Sequence, residues 1–178
     1  MIFRRFTADE TAPIVSLVRE VFGSSEGEAE GELIGKLTSD LISGTSETDL
    51  HGFVATDGAR IIGAILFTRI TIRENTESFI MAPVAVHCDY QGKGIGQRLI
   101  RHGLDTLRKE TVQFVISYGD PNYYSKVGFQ QISPEVIRPP LKLSLPHGWI
   151  GQSLTDESID KLSGDCICVE ALSDPAYW

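Results

Sequence analysis

The sequence predicts an α/β domain in which a mixed, mostly antiparallel central sheet is flanked by helices and carries one strand–glycine loop–helix–strand unit at its centre. Three observations predict it. Apolar residues recur at helical spacing over two stretches, 9–22 and 94–109. Asp57-Gly58 lies between two apolar runs and signals a hairpin. The apolar run Ile80–Val86 is followed by glycines at 92, 94 and 96, immediately before the second helical stretch.

Taken in order, Ile2–Phe6 reads as a short first strand. Thr7 precedes Glu10 by three residues, the spacing of a capping box. Ile14, Leu17, Val18, Val21 and Phe22 then form an apolar stripe, and Gly23-Ser24-Ser25 is expected to end that helix. An acidic loop follows, with Glu26, Glu28, Glu30 and Glu32, before a second helix marked by Leu33, Ile34, Leu37 and Leu41. Phe53–Thr56 and Ile61–Ile72 are the arms of the hairpin. Asn75 marks another turn and Ser78–His87 another strand. Beyond the glycines, Ile95, Leu99, Ile100, Leu104 and Leu107 define the central helix. Val112–Ser117 is the next strand, and Pro121–Lys126 a short helix with proline in its first turn. Gly128-Phe129 leads to a further strand, four prolines make 134–146 irregular, and Ile167–Leu172 reads as the last strand. With no repeat and no linker, residues 1–178 are expected to form a single domain.

Composition narrows the function. A net charge of −8 argues against a broad nucleic-acid interface, which needs a positive excess to neutralise phosphates. The apolar runs around Ile61–Phe67 and Ile80–Val86 stay far short of the about 20 residues that a membrane span needs. Met1–Phe6 has no apolar run behind its charges and does not read as a signal peptide. Three cysteines, an odd number, point to reduced thiols and a cytoplasmic protein. Cys166 and Cys168 have no second pair to complete a metal site, and no metal is expected. Acids crowd between Glu20 and Asp49, while Lys93, Arg98, Arg101, Arg108 and Lys109 make the stretch after the glycines locally basic. Such a contrast suits a small polyanion bound at one place.

The glycine loop is where that anion belongs. Free N–H groups and the dipole favour negative charge at a helix start, and glycines let backbone amides approach it closely. A dinucleotide fingerprint would need glycine at position 97, which is Gln97, and no stretch fits the nucleotide-triphosphate loop. Gln91-x-x-Gly94-x-Gly96 after Val84-Ala85-Val86 resembles instead the acyl-CoA motif of the GNAT superfamily of acetyltransferases. Tyr124-Ser125-Lys126-Val127-Gly128-Phe129 is similar to a second motif of that family. Gly119–Tyr124 resembles small bacterial predicted N-acetyltransferases.

The resemblance implies acetyl-CoA as co-substrate and direct acetyl transfer to an amine of a small molecule or a protein. The backbone of Val84, Ala85 and Val86 would pair with the pantetheine arm. Gln91, Gly92, Lys93, Gly94, Ile95, Gly96 and Gln97 would cradle the pyrophosphate, with Lys93 and Arg98 adding charge near it. Tyr124, favoured over Tyr123 by its place in the motif, would protonate the departing thiolate. Many relatives carry a carboxylate base about eleven residues before the motif glutamine, where this chain has Ile80. Glu74 and Glu77 lie just upstream, and no base is assigned. Sheet-edge pairing into a homodimer is common among such relatives. The alternative reading is an acyl-CoA-binding sensor or subunit without catalysis.

Overall fold

The computed structural model describes residues 1–73 and 76–178. The predicted turn at Asn75 and the carboxylate of Glu74 lie outside the described residues. The elements run β1 (Ile2–Arg5), α1 (Thr11–Glu26), α2 (Glu28–Gly44), β2 (Leu50–Asp57), β3 (Arg60–Ile70), β4 (Ser78–Val86), α3 (Ile95–Lys109), β5 (Phe114–Tyr118), α4 (Pro121–Tyr124), β6 (Gln130–Gln131), β7 (Ile137–Arg138), β8 (Trp149–Ser153) and β9 (Gly164–Asp165). Seven strands form one sheet in the order β1-β2-β3-β4-β5-β8-β6, and β7 pairs with β9. Within the large sheet β4 and β5 are parallel, while β1–β2, β5–β8 and β6–β8 are antiparallel. A parallel pair needs a crossover, and the glycine loop and α3 supply it. The chain divides into two compact units, Met1–Phe67 with Pro83–Gly103 and Thr68–Ala82 with Leu104–Trp178.

In the first unit, β1 pairs with β2 from Ile2↔Thr56 to Arg5↔Phe53. The predicted capping pair closes the turn into α1. Thr7 N–H donates to Glu10 Oε2 at 2.9 Å, and the Arg4 guanidinium reaches both Glu10 oxygens at 2.6 and 2.8 Å. Arg4 holds the Glu10 carboxyl down to about 2, against an ordinary 4.5. The apolar stripe of α1 buries Ile14, Leu17, Val18 and Val21 with Val54, Ala64 and Ala85. The hairpin turns through Gly58, at φ +59°.

The expected break at Gly23 does not occur. α1 continues through Gly23-Ser24-Ser25 to Glu26, and the chain turns at Gly27, whose φ is +105°. Gly23 serves close packing instead. A Cβ at Gly31 of α2 would lie 2.8 Å from Gly23 Cα and 2.6 Å from Arg19 O, so both glycines let the helices touch backbone to backbone. The acidic run is likewise helical. Glu28 and Glu30 occupy the first turn of α2, where the helix dipole favours them, and Glu32 pairs with Arg19 at 3.0 Å.

In the second unit, β4 and β5 pair from Ser78↔Phe114 to Met81↔Ser117. The free edge of β5 takes β8, a strand the sequence pattern did not reveal: Trp149-Ile150 is only two apolar residues, followed by Gly-Gln-Ser. The indole of Trp149 is fully buried and donates to Ile137 O at 2.9 Å. The expected strand Ile167–Leu172 reduces to a single bridge between Ile167 and Thr71. Ile167 stays largely exposed, and the chain turns at Glu170–Leu172 to bury Leu172, whose carbonyl accepts the Trp178 indole N–H at 2.8 Å. Burial of two apolar side chains outweighs continued strand pairing there.

Two predictions follow the packing. Gly31→Ala should destabilise the protein by about 1–3 kcal/mol through overpacking, whereas Gly44→Ala, with open space around its Cβ, should be neutral or slightly stabilising in thermal unfolding. Because the folded pKa of Glu10 lies below its unfolded value, its contribution is complete above about pH 4.5 and is lost as pH falls towards 2. Denaturant unfolding across that window should show a steeper loss for the native chain than for Glu10→Gln.

Candidate active site

The end of β4 sets the geometry of the glycine loop. His87 N–H donates to Ile62 O of β3 at 2.9 Å. Peptide groups alternate in direction along a strand, so those of Val84 and Val86 point away from β3. Val86 O accepts the Gln91 side-chain amide at 2.9 Å, which ties the motif glutamine to the strand end. Ala85 is buried in the α1 core, and Val84 and Val86 remain partly exposed.

Gly92 and Gly94 have φ of +71° and +72°, and no atom lies within 4 Å of a Cβ built at either. Backbone conformation requires the glycines, and the space above them is open to a ligand. The bond from Arg98 N–H to Gly94 O, 3.1 Å, opens α3. The N–H groups of Ile95, Gly96 and Gln97 therefore stand at the positive end of the helix. Gln91 to Gly94 are exposed, Ile95 and Gly96 are buried, and Gln97 is intermediate. The structure brings these residues into one continuous turn.

The expected basic side chains are elsewhere. Arg98 lies over the Phe3 ring at 5.4 Å and donates to Met1 Sδ at 3.3 Å. A cation–π contact with Phe3 of β1 accommodates its charge in the first helical turn. Lys93 folds back onto the preceding turn, donating to Asp89 O at 2.7 Å with its ammonium 5.3 Å from the centre of the Tyr90 ring.

The structure places His87 at the N-cap of the turn Cys88–Tyr90, with Nδ1 accepting the Asp89 N–H at 3.2 Å. Its ring is only 6% exposed, and its Nε2 lies 2.6 Å from Arg60 and 3.2 Å from Glu20. A lone histidine between Val86 and Cys88 carried no periodic signal. The long-range partners Glu20 and Arg60 appear only on folding.

In the second unit, Asp120 caps α4 by accepting the Asn122 N–H at 2.9 Å, and Pro121 begins the helix. Tyr124 ends it, with its ring against the Gly119 backbone: a Cβ there would lie 2.6 Å from Cε2. The rings of Tyr123 and Phe129 meet it edge-on at 5.1 and 5.8 Å. Gly128, at φ +98°, completes the turn that brings Phe129 back. Burial first, then Tyr123 and Asp120, push the Tyr124 phenol well above its ordinary 10, so it stays protonated. Among the described residues none hydrogen-bonds its hydroxyl. Ser117 went unnoticed in the sequence, although a polar residue ending an apolar strand was the available signal. It is buried, and its hydroxyl donates to Met81 O at 2.9 Å where the β4–β5 ladder ends. Ile80 is buried opposite Ile116, and Glu77 pairs with Arg69 at 2.6 Å at the surface.

Comparison with known proteins decides the family. The family model for the acetyltransferase (GNAT) domain matches residues 48–131. The chain is 34% identical over 163 residues to the uncharacterized N-acetyltransferase YjhQ of Escherichia coli (strain K12), covering 86% of each protein. This chain belongs to the GNAT acetyltransferase superfamily. Uncharacterized N-acetyltransferase YhbS of the same organism is 33% identical over 128 residues, 70% of this chain and 71% of that protein. The crystal structure of the Escherichia coli GNAT protein YhbS in complex with CoA superposes with a TM-score of 0.83 at 27% identity, over 97% of this chain and 92% of that one. A Brucella melitensis GNAT acetyltransferase in complex with acetyl-CoA shares the fold, with a TM-score of 0.75 at 22% identity over 96% of both chains. The GNAT match contains both the glycine loop and Tyr124. Among the described residues no helix is long and apolar enough to cross a membrane.

The Tyr124–Gly119 contact is testable by a double-mutant cycle. Gly119→Ala should cost about 1–3 kcal/mol in the native background and close to nothing once Tyr124→Ala has removed the ring, as read by denaturant unfolding.

Proposed function

We propose that this protein moves an acetyl group from acetyl-CoA directly to an amine on a small molecule or a protein. The observation that carries the reading is the open cradle at the start of α3. Gly92 and Gly94 have unobstructed space above them, and the amides of Ile95, Gly96 and Gln97 stand at the positive helix end. That is the chemistry of a pyrophosphate site, and GNAT membership together with the CoA-bound relative supports it.

In this reading the backbone from Gln91 to Gln97 holds the pyrophosphate. The peptide groups of Val84 and Val86, facing away from β3, pair with the pantetheine arm as an added strand would, with Ala85 fixing the strand to the core beneath. Bound acetyl-CoA supplies an acetyl group activated as a thioester. A backbone N–H at the end of β4 polarises its carbonyl. The C–N bond to the acceptor forms as the C–S bond breaks, the sulfur takes the Tyr124 proton, and the amine's proton leaves to water. Burial keeps the phenol neutral, so the proton is in place when the thiolate forms. The same burial lowers its acidity, so transfer requires the bound sulfur to come within hydrogen-bond reach of the phenol. The three cysteines, all free, fit a reducing cytoplasmic setting.

A second reading, an acyl-CoA sensor without catalysis, draws on Ile80 standing where many relatives have a carboxylate. One pair of measurements separates the two. Acetyl-CoA at 100 times its Kd should stabilise the fold by about 2.7 kcal/mol in thermal unfolding, with NAD and ATP as inert controls. Tyr124→Phe should keep that stabilisation while lowering turnover of an amine acceptor by roughly 10²–10⁴. Undiminished turnover would remove Tyr124 as the acid. Absence of turnover with every amine, alongside tight acetyl-CoA binding, would favour the sensor.

A further inference from the structure

The turn that delivers the chain into the glycine loop is held by a side chain outside the acyl-CoA motif. Cys88–Tyr90 is one short helical turn, and Gln91 N–H closes it on Cys88 O at 3.2 Å. Its first N–H groups need an acceptor. Asp89 N–H finds His87 Nδ1 at 3.2 Å, an N-cap made by an imidazole rather than by an oxygen. The His87 backbone is fixed in the β3–β4 ladder through Ile62 O, and its ring is buried edge-on to Tyr90 at 6.0 Å. Tyr90 is anchored in turn by its hydroxyl on Asp57 at 3.0 Å.

A neutral imidazole has one proton and one lone pair. When Nδ1 accepts from Asp89, the proton sits on Nε2 and points at Glu20 Oε1, 3.2 Å away on α1. Arg60 of β3 lies 2.6 Å from the same Nε2 and can only donate. It is satisfied by the opposite tautomer, which puts a proton on Nδ1 and abolishes the cap. The Asp89 carboxylate, 3.7 Å from Nδ1, favours that opposite form as well. The cap on Asp89 and the Arg60 contact therefore call for opposite tautomers, and Glu20 accepts a proton only in the capping one.

We propose that His87 is a positioning residue for acetyl-CoA binding: its Nδ1 caps the turn that carries Gln91 and the glycine loop. The proposal rests on the glycine loop being the pyrophosphate cradle. His87 acts on the turn that carries the loop and not on the acetyl group, so the effect falls on binding and not on the chemical step.

The test compares His87→Ala, His87→Asn and Glu20→Ala by acetyl-CoA titration calorimetry, steady-state kinetics with an accepted amine and amide hydrogen exchange. His87→Ala should raise the Kd and KM for acetyl-CoA about five- to tenfold, the worth of one N-cap, with kcat within about twofold. His87→Asn supplies a side-chain oxygen at the same N-cap and should restore affinity to within about twofold of the native protein. Glu20→Ala, at an exposed site, should weaken binding in the same direction by a smaller factor. Exchange of the Asp89 amide should speed up in His87→Ala and return in His87→Asn. The proposal is overturned if His87→Ala binds acetyl-CoA as tightly as the native chain, if His87→Asn fails to restore affinity, or if kcat falls while KM stays unchanged. Should the native chain bind no acetyl-CoA, the reading of the loop falls and this proposal with it.

Discussion

The acyl-CoA reading depends on one constraint of strand geometry: successive peptide groups of β4 face opposite ways. His87 N–H is committed to Ile62 of β3, so Val84 and Val86 direct theirs to the other side. A buried peptide group without a partner is costly, and one that faces a ligand groove is a binding group. The Gln91 amide takes Val86 O and pulls the loop onto the strand end. From that anchor the positive φ of Gly92 and Gly94 turns the chain into α3, with open space at both glycines and the first amides of the helix following them. Strand edge and helix start are thus two parts of one backbone surface, extended below and charged above, which suits an extended amide-bearing arm ending in a pyrophosphate.

Side chains enter as supports of that surface. The local basic stretch suggested that charge would hold the phosphate. Arg98 is instead stacked on Phe3, and Lys93 is turned back to a carbonyl. Backbone dipoles are the preorganised part of the cradle, already aimed and carrying no side-chain entropy to lose. Arg101, Arg108 and Lys109 of that basic stretch lie on α3, beyond the glycine loop.

What could be read in advance follows from how local each signal is. The apolar stripes of α1 and α3, the Asp57-Gly58 hairpin and the glycine loop each lie within about a dozen consecutive residues, and the structure contains all four. Gly23 misled because a glycine that stops a helix and a glycine that lets two helices touch look the same in one dimension. The partner that decides, Gly31, sits across the helix crossing. β8 escaped because its place depends on the open edge of β5 and not on its own pattern. Ile167 failed in the opposite sense, apolar yet exposed, since its neighbours turn inward to bury Leu172. In the site, Gln91 and the glycines were legible as a motif, whereas the Glu20–His87–Arg60 cluster joins three separate stretches of chain and has no one-dimensional trace.

Ile80 makes the last connection between packing and chemistry. It is 2% exposed and lies across from Ile116 in the parallel ladder. A carboxylate in that place would need a partner to offset its desolvation, and the residue opposite offers only hydrocarbon. The position is therefore given to the core, and with it the option of a buried general base is given up. An alkyl amine with a pKa of about 10.4 is almost wholly protonated at neutral pH, so without a base elsewhere in the site the acceptor reacts through its small neutral fraction. Turnover at low acceptor concentration should then rise about tenfold per pH unit towards the pKa of the amine itself, and a less basic acceptor should gain rate at neutral pH.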